Sequence, residues 1–545
     1  VTLVRTIEGW RAYALLALLS LALYLPGLAA LPPTDRDESR FVQASRQMLE
    51  SEDYVQIRFQ DEARNKKPAG IYWLQAASVY LFSTPESTVI WPYRLPSVLG
   101  ALAAVLLTFC FGQAWIGRPA AFWGAALLAA SLGLTVEAHL AKTDAVLLAT
   151  VVAAQGGLGE IYRRSCVGER TGALLPLLFW FAQGVGILVK GPVTPLASLL
   201  AAAALAIADR DGRWLGRLRF LWGVPLALLI AGPWLVAITL ATDGGFASES
   251  VGHDLLAKLI HGQESHGAPP GTYIVAALAS FWPGSLTLAA AARLAWRERR
   301  DIAIRFLLAW LVPFWLLMEL VPTKLPHYVL PAYPALSLLA GRAVAQGIAG
   351  ARRHWSDLVA WTLWGLVALG LGIGLLVVPL RLGKNASIPD AIAVAAALGL
   401  AAACAISLVR GRMRPWLALG SAAVMWACGF SLILPRIDAL WLSRSAAALV
   451  NGQDHATRPV VVAGYAEPSL VFLLGTPTRL ANTAEAALIL SKLPQTLVLV
   501  SNREDERFRA ALQRQGISVD SLGQVSGLNY SNGRETTLTL YETAR

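Results

Sequence analysis

Acidic and basic side chains alternate in Thr34-Asp35-Arg36-Asp37-Glu38-Ser39-Arg40-Phe41, immediately after the first long apolar stretch of the chain. A carboxylate set among guanidiniums is suited to accept a proton beside groups that hold an anion. On a helix beginning near Asp35, Asp37 and Arg40 share a face while Glu38 points elsewhere, so the spacing selects one carboxylate for a pocket. The same run also suits an ordinary helix N-terminus, where the dipole favours acids.

Further along, Asn65-Lys66-Lys67-Pro68-Ala69-Gly70-Ile71-Tyr72-Trp73 places cations just before an aromatic segment. Lys67 and Tyr72 suit a lipid-phosphate headgroup and its first isoprene units, and equally an interfacial anchor. Asp144 follows Glu137, His139 and Lys142, where it can pair with an arginine or orient a catalytic group. Lys190 in Leu188-Val189-Lys190-Gly191-Pro192 breaks an apolar hairpin, a costly position unless it faces a polar cavity or snorkels outward. The turn Pro322-Thr323-Lys324-Leu325-Pro326-His327-Tyr328 packs a cation, an imidazole and a phenol between prolines, and rigid polar loops of this kind bind ligands. His253, His261, Glu264 and His266 fall in one loop, but their spacing matches no compact metal-ligand pair. Glu264 and His266 are therefore carried as candidates for the acceptor or for the cavity wall, and no metal ligand is assigned. No cofactor motif is present, and a divalent metal is left open.

These residues need elements to hold them, and the elements are membrane-spanning. Of 545 residues, 56% are hydrophobic and 15% charged, more apolar surface than a soluble fold buries. The apolar content arrives in blocks of about 20 residues, the length that crosses a hydrocarbon core. We count about 13 such blocks, beginning near residues 11–31 and ending near 414–434. With the N-terminus cytoplasmic, Arg163-Arg164, the run 210–219, Arg297 to Arg300, Arg352-Arg353 and the run 410–414 all fall on the cytoplasmic side, the positive-inside pattern. The opposite face receives loops 32–91 and 242–271 and everything after about residue 435, so the chemically suggestive residues gather on one side. A transporter more often keeps its ionisable residues at the membrane midplane. The net charge of +11 is spread between apolar blocks, which argues against a nucleic-acid partner. The four cysteines show no ligand or disulfide spacing and are read as packing residues.

Residues 1–435 thus read as an all-α polytopic membrane domain. Residues 436–545 read as a small α/β domain outside the membrane, with strands near 460–463 and 496–500 and helices near 469–474 and 505–515.

The acidic cluster, the Lys-Pro with its aromatics, the Lys-Gly-Pro hairpin and Pro-Thr-Lys-Leu-Pro-His-Tyr-Val-Leu-Pro together resemble the lipid-carrier-dependent membrane glycosyltransferases. The likeness is to the bacterial aminoarabinose transferases of lipid A and, more distantly, to the protein O-mannosyltransferases, and it runs over most of the chain. It implies a GT-C-type fold in a bacterial inner membrane and a periplasmic active site. The donor it implies is a polyprenyl-phosphate-linked sugar, and the acceptor a glycolipid such as lipid A, or a protein. It makes Asp37 and Asp144 the catalytic acids, gives Lys67 the donor phosphate, lines the donor site with Lys324, His327 and Tyr328, and adds Arg40. Lys66 departs from the pattern, standing where the lipid A transferases carry Glu, so the resemblance does not name the sugar. A flippase of lipid-linked sugars is the competing class, and it gives no reason for chemistry on one face.

Overall fold

The computed structural model describes residues 9–249, 267–347, 354–382, 387–411, 414–453 and 458–544. Glu264 and His266, with His253 and His261, lie outside the described residues.

The chain opens with helix α1 (Trp10–Tyr24). The first loop then folds into α2 (Asp37–Ser51), a two-stranded ribbon (β1 Arg58–Phe59, β2 Glu62–Ala63) and α3 (Gly70–Phe82). Helices α4 (Trp91–Ile116), α5 (Arg118–Ala130), α6 (Leu132–Ala138), α7 (Asp144–Cys166) and α8 (Leu174–Lys190) follow and carry most of the site. Without a hydrophobic drive between helices in lipid, close packing depends on small residues. Ala120 and Gly124 on α5 face Ser337 and Gly341 on the helix Tyr333–Ala345. A Cβ at Gly341 would lie 2.2 Å from the Ala120 carbonyl oxygen, so glycine is what lets these two backbones touch.

Among the described residues, seven helices are long and apolar enough to cross a membrane, or nine if the two bent pairs each count as one span. The bent pairs are α5 with α6, at 58°, and Thr272–Ser280 with Gly284–Arg297, at 116°. This is fewer than the 13 expected from apolar blocks. The missing blocks are helical but short: α1, α8 and Val193–Asp209 have 15, 17 and 17 residues. At 1.5 Å rise per residue such helices fall short of a core about 30 Å thick. The block at 328–349 divides into a 3₁₀ segment, Pro326–Ala332, and a 13-residue helix, Tyr333–Ala345. Hydropathy counts apolar residues but does not see where a helix stops.

Beyond the last span lies a five-stranded mixed sheet: β3 (Val460–Ala463), β4 (Arg479–Ala481), β5 (Leu497–Ser501), β6 (Val519–Asn529) and β7 (Arg534–Thr543), in the order β4-β3-β5-β7-β6. β3 runs parallel to β4 and β5, while β7 is antiparallel to β5 and β6. Strand alternation sorts its core into two layers. Val460, Val462, Leu497, Leu499, Leu538 and Leu540 pack against the helices Leu442–Asn451 and Pro468–Leu474. Val461, Val498, Val500 and Tyr541 face Thr483–Lys492 and Asp505–Gln513. The helix Pro468–Leu474 also reaches the membrane domain, since Phe472 is buried with Val42, Tyr93 and Ala141.

Candidate active site

Asp37 is the first residue of α2, and its side chain is exposed. Arg36 precedes it with φ 62°, a backbone conformation that costs energy in a non-glycine residue and has to be held by its surroundings. As the spacing predicts, Glu38 points the other way. It is fully buried, and both its oxygens meet Arg94 of α4, at 2.8 and 3.0 Å. It also accepts from the Thr34 amide and hydroxyl at 2.8 and 2.9 Å and from the Ala141 amide at 2.8 Å. Arg94 spends its remaining donors on the Leu28, Leu31 and Pro32 carbonyls, at 2.7 to 3.0 Å. One buried ion pair therefore ties the exit of α1, the start of α2, α4 and the 139–143 turn into a single frame. Burial alone would raise the Glu38 pKa, but the Arg94 charge and these hydrogen bonds bring it below the usual range.

Behind Asp37 lies a second ionic group. Lys142 reaches Glu137 at 3.2 Å, and Lys190 at the end of α8 reaches Asp144 at the start of α7 at 2.5 Å. His327 sits between the two carboxylates, with Nδ1 3.6 Å from Glu137 and Nε2 3.9 Å from Asp144. Burial holds this imidazole neutral, its pKa pushed down to about 3. The Lys190 ammonium also stands 5.8 Å over the Tyr328 ring. A glycine joins two of the motifs: a Cβ at Gly70 would lie 2.7 Å from the Leu188 carbonyl oxygen, so the Lys-Pro-Ala-Gly turn can lie directly on the end of the hairpin that carries Lys190.

Partial desolvation works to raise the Asp37 pKa, but the charges of Lys142, Arg64 and Arg40 outweigh it, and the carboxyl is held below its ordinary value. Arg64 comes from the strand ribbon, donates through Nε to the Tyr72 hydroxyl at 3.4 Å and lies 5.3 Å over the Phe41 ring. The site therefore presents an ionised acid to solvent, backed by cations and by two carboxylates already matched to ammonium groups. Chemically, it can accept a proton or face a developing positive charge, and it can hold an anion nearby.

Glu137, Asp144 and His327 bring their ligand atoms within 4.8 Å of one another, as a metal site would. The donor set does not fit one. Each carboxylate already binds a lysine ammonium, and a divalent cation added there would stand against both.

The structure thus gathers Asp37, Arg40, Asp144, Lys190, His327, Tyr328 and Tyr72 around one region, with the half-buried Lys67 on the turn leading into α3. Lys324 is engaged differently. Its ammonium donates to the carbonyls of Met318, Glu319 and Val321 at 3.2, 2.7 and 2.8 Å, closing the end of the helix Ile302–Leu320. Glu319 beside it accepts the Gly271 and Tyr273 amides at 2.9 and 3.0 Å. That clamp explains why a cation sits in the proline-bounded turn. The sequence reading missed Arg94, the structural use of Glu38, and Arg64. Arg94 does carry a signal, an arginine inside the apolar run Trp91–Ile116, where an ionisable residue calls for a partner.

Residues 14–242 match the family model described as dolichyl-phosphate-mannose-protein mannosyltransferase. An undecaprenyl phosphate-alpha-4-amino-4-deoxy-L-arabinose arabinosyl transferase of Pseudomonas aeruginosa is 29% identical over 340 residues, 62% of this chain and 59% of its own. The enzyme of that name from Pectobacterium carotovorum is 26% identical over 401 residues, 70% and 69% of the two chains. The chain thus spans about three fifths of the length of the Pseudomonas relative. Among solved structures, ArnT from Cupriavidus metallidurans bound to undecaprenyl phosphate superposes with a TM-score of 0.72 at 20% identity, over 98% of each chain. The archaeal oligosaccharyltransferase AglB from Archaeoglobus fulgidus gives 0.56 at 11% identity, over 92% of this chain and 70% of its own.

Proposed function

We propose, from the match of residues 14–242 to the dolichyl-phosphate-mannose-protein mannosyltransferase family model and the likeness to the aminoarabinose transferases, that this chain is a GT-C membrane glycosyltransferase that moves a sugar from undecaprenyl phosphate to an envelope glycolipid such as lipid A. The observation that carries the reading is Asp37, an exposed carboxylate kept ionised by cations at the head of α2. The arginine-rich loops support a bacterial inner membrane, an N-terminus in the cytoplasm, and Asp37 and the domain after residue 435 in the periplasm.

In this reaction a bond forms between the acceptor oxygen and the anomeric carbon, and the bond from that carbon to the phosphate oxygen breaks. The electron pair and the negative charge leave with undecaprenyl phosphate. Lys67, Arg40 and Arg64 are suited to that growing charge. Asp37 takes the proton of a hydroxyl acceptor, or faces the positive charge on the sugar when the acceptor is itself a phosphate. Asp144, fixed by Lys190, orients the groups behind Asp37, with His327 and Tyr328 beside it and Tyr72 near Arg64. Glu264 and His266 stay candidates for the acceptor or for the cavity wall.

The test is a purified-component assay with an undecaprenyl-phosphate sugar and lipid A, read by mass spectrometry. Wild type should yield glycosylated lipid A and free undecaprenyl phosphate, and Asp37→Asn should insert and fold yet turn over at least a thousandfold more slowly. Near-normal turnover by Asp37→Asn would refute the assignment. Sugar on an exported protein and none on lipid A would favour the mannosyltransferase-like reading, which the family match at residues 14–242 supports. Transbilayer movement of the donor with no covalent product would make the protein a flippase.

A further inference from the structure

The two residues before Asp37 are held by the C-terminal domain. The Asp35 amide donates to the Tyr530 hydroxyl at 2.7 Å, the Asp35 carboxylate accepts from the Ser469 hydroxyl, and the Arg36 guanidinium donates to the Ser531 carbonyl. Behind Ser469 the contacts continue: its Oγ is 2.6 Å from Ser443 Oγ, which is 2.8 Å from the Tyr465 hydroxyl. A hydroxyl has one proton to give. If Ser469 donates to Asp35, it must accept from Ser443, and Ser443 from Tyr465, so the charge on Asp35 sets the direction of the whole chain. On the other side, Glu467 accepts from Asn529 and Ser531 at 2.9 and 3.0 Å, and so fixes the turn that presents Tyr530. These contacts converge on a backbone that does not relax into its conformation unaided, since Arg36 has φ 62°. The same domain runs along α2, where Gln43 meets Thr476 at 2.8 Å and Arg46 donates to the Phe472 carbonyl at 2.9 Å.

We propose that the C-terminal domain is part of the transfer site: Ser469 and Tyr530 are positioning residues that grip Asp35 and Arg36 and so aim Asp37. The proposal rests on the reading of Asp37 given above. Burial, with the nearby Glu467 carboxylate, pushes the Asp35 pKa up to about 7, against the Ser469 and Tyr530 hydrogen bonds that lower it. The other titratable groups that interact with Asp35 are the Tyr465 and Tyr530 phenols. A carboxyl with a raised pKa favours the gripped state while protonated, so the grip is tighter at pH 6 and looser above pH 7.

The experiment uses the full chain in lipid nanodiscs, with Ser469→Ala, Tyr530→Phe, Asp35→Asn and Ser469→Thr. Two readouts are taken, donor-to-acceptor kinetics and hydrogen–deuterium exchange across residues 34–46. Ser469→Ala and Tyr530→Phe should lower kcat tenfold or more with donor KM within twofold, and exchange at 34–46 should quicken. Ser469→Thr, which keeps the hydroxyl, should restore kcat to within threefold. Asp35→Asn combined with Ser469→Ala should be no worse than the poorer single variant. Exchange corrected for intrinsic rate should quicken from pH 6 to pH 8 in wild type and stay level in Asp35→Asn. Unchanged kcat in Ser469→Ala and Tyr530→Phe, or unchanged exchange at 34–46, overturns the proposal. If wild type transfers no sugar, the functional reading fails, and exchange alone still decides whether the domain holds this segment.

Discussion

Arg94→Ala isolates what the buried frame contributes. Arg94 and Glu38 are both fully buried, and the substitution leaves the Glu38 carboxylate with hydrogen bonds from Thr34 and Ala141 but no counter-charge. Breaking a buried pair on one side costs about 3–5 kcal/mol. The carbonyls of Leu28, Leu31 and Pro32 lose their donor as well, at about 1–3 kcal/mol each unless water enters the gap. A loss of about 5 kcal/mol or more follows, comparable with the whole stability of many domains, about 5–15 kcal/mol. Glu38→Gln keeps the shape and part of the hydrogen bonding, and should cost less. Arg94→Met with Glu38→Leu removes the stranded charge and should recover part of the loss but not all, because the carbonyls and amides remain unpaired. The assay is equilibrium unfolding in mixed detergent–SDS micelles followed by tryptophan fluorescence, with transfer measured on the folded fraction. A cost below about 1 kcal/mol for Arg94→Ala would show that water or a neighbour replaces the guanidinium, and the argument for a rigid frame would fall.

Lys324→Met should lower stability by about 1.5–3 kcal/mol, because three charge-assisted bonds close the end of Ile302–Leu320, while donor KM stays within twofold. Weakened donor binding with unchanged stability would instead place Lys324 on the donor. Lys142→Gln should move the acid limb of the pH–rate profile upward, since Lys142 is the largest of the charges that lower the Asp37 pKa. A depressed carboxyl pKa keeps the base ionised across the neutral range and loses it only as pH falls through the folded value, so a limb that does not move when Lys142 is removed would refute this electrostatic account.

The sequence was most informative where a local rule acts alone. Apolar length gave a helical membrane protein, and the alternation at Val460 to Ala463 gave β3 to the residue. The hairpin of β6 and β7 was passed over, although Asn532-Gly533 followed by Thr536, Leu538 and Leu540 on one face carries a turn-and-strand signal. In the site, Asp37 and Asp144 stood out because charge is rare beside apolar spans. Their partners were harder to see, for Lys190 lies 46 residues from Asp144 and Arg94 lies 56 from Glu38. No spacing rule spans such distances, and only packing decides which cation meets which carboxylate. Lys324 is a cation in a suggestive motif whose ammonium the structure turns to the nearest carbonyls, a use that its spacing does not announce.

The pairing of Glu137 and Asp144 with lysines bears on how Asp37 works. Two carboxylates sharing one site raise one pKa, as in a dyad, and one of them becomes an acid. At Asp37 no such partner acts, since the charges that dominate there are cationic, Lys142 first among them. A base so depressed is weak in the empty site, because proton transfer is most efficient when the pKa lies near the working pH. The proposed donor changes that balance. Its phosphate brings negative charge toward the same cations, so their hold on Asp37 weakens as the donor enters, and the carboxylate becomes more basic once an acceptor can be deprotonated. Water entering the empty site meets a poor base, and the acceptor meets a better one. The pH profiles that test Lys142 also test this ordering, because kcat/KM reports the empty site and kcat the loaded one. The acid limb of kcat should therefore lie above that of kcat/KM, and coincident limbs would mean that the donor phosphate does not share its cations with Asp37.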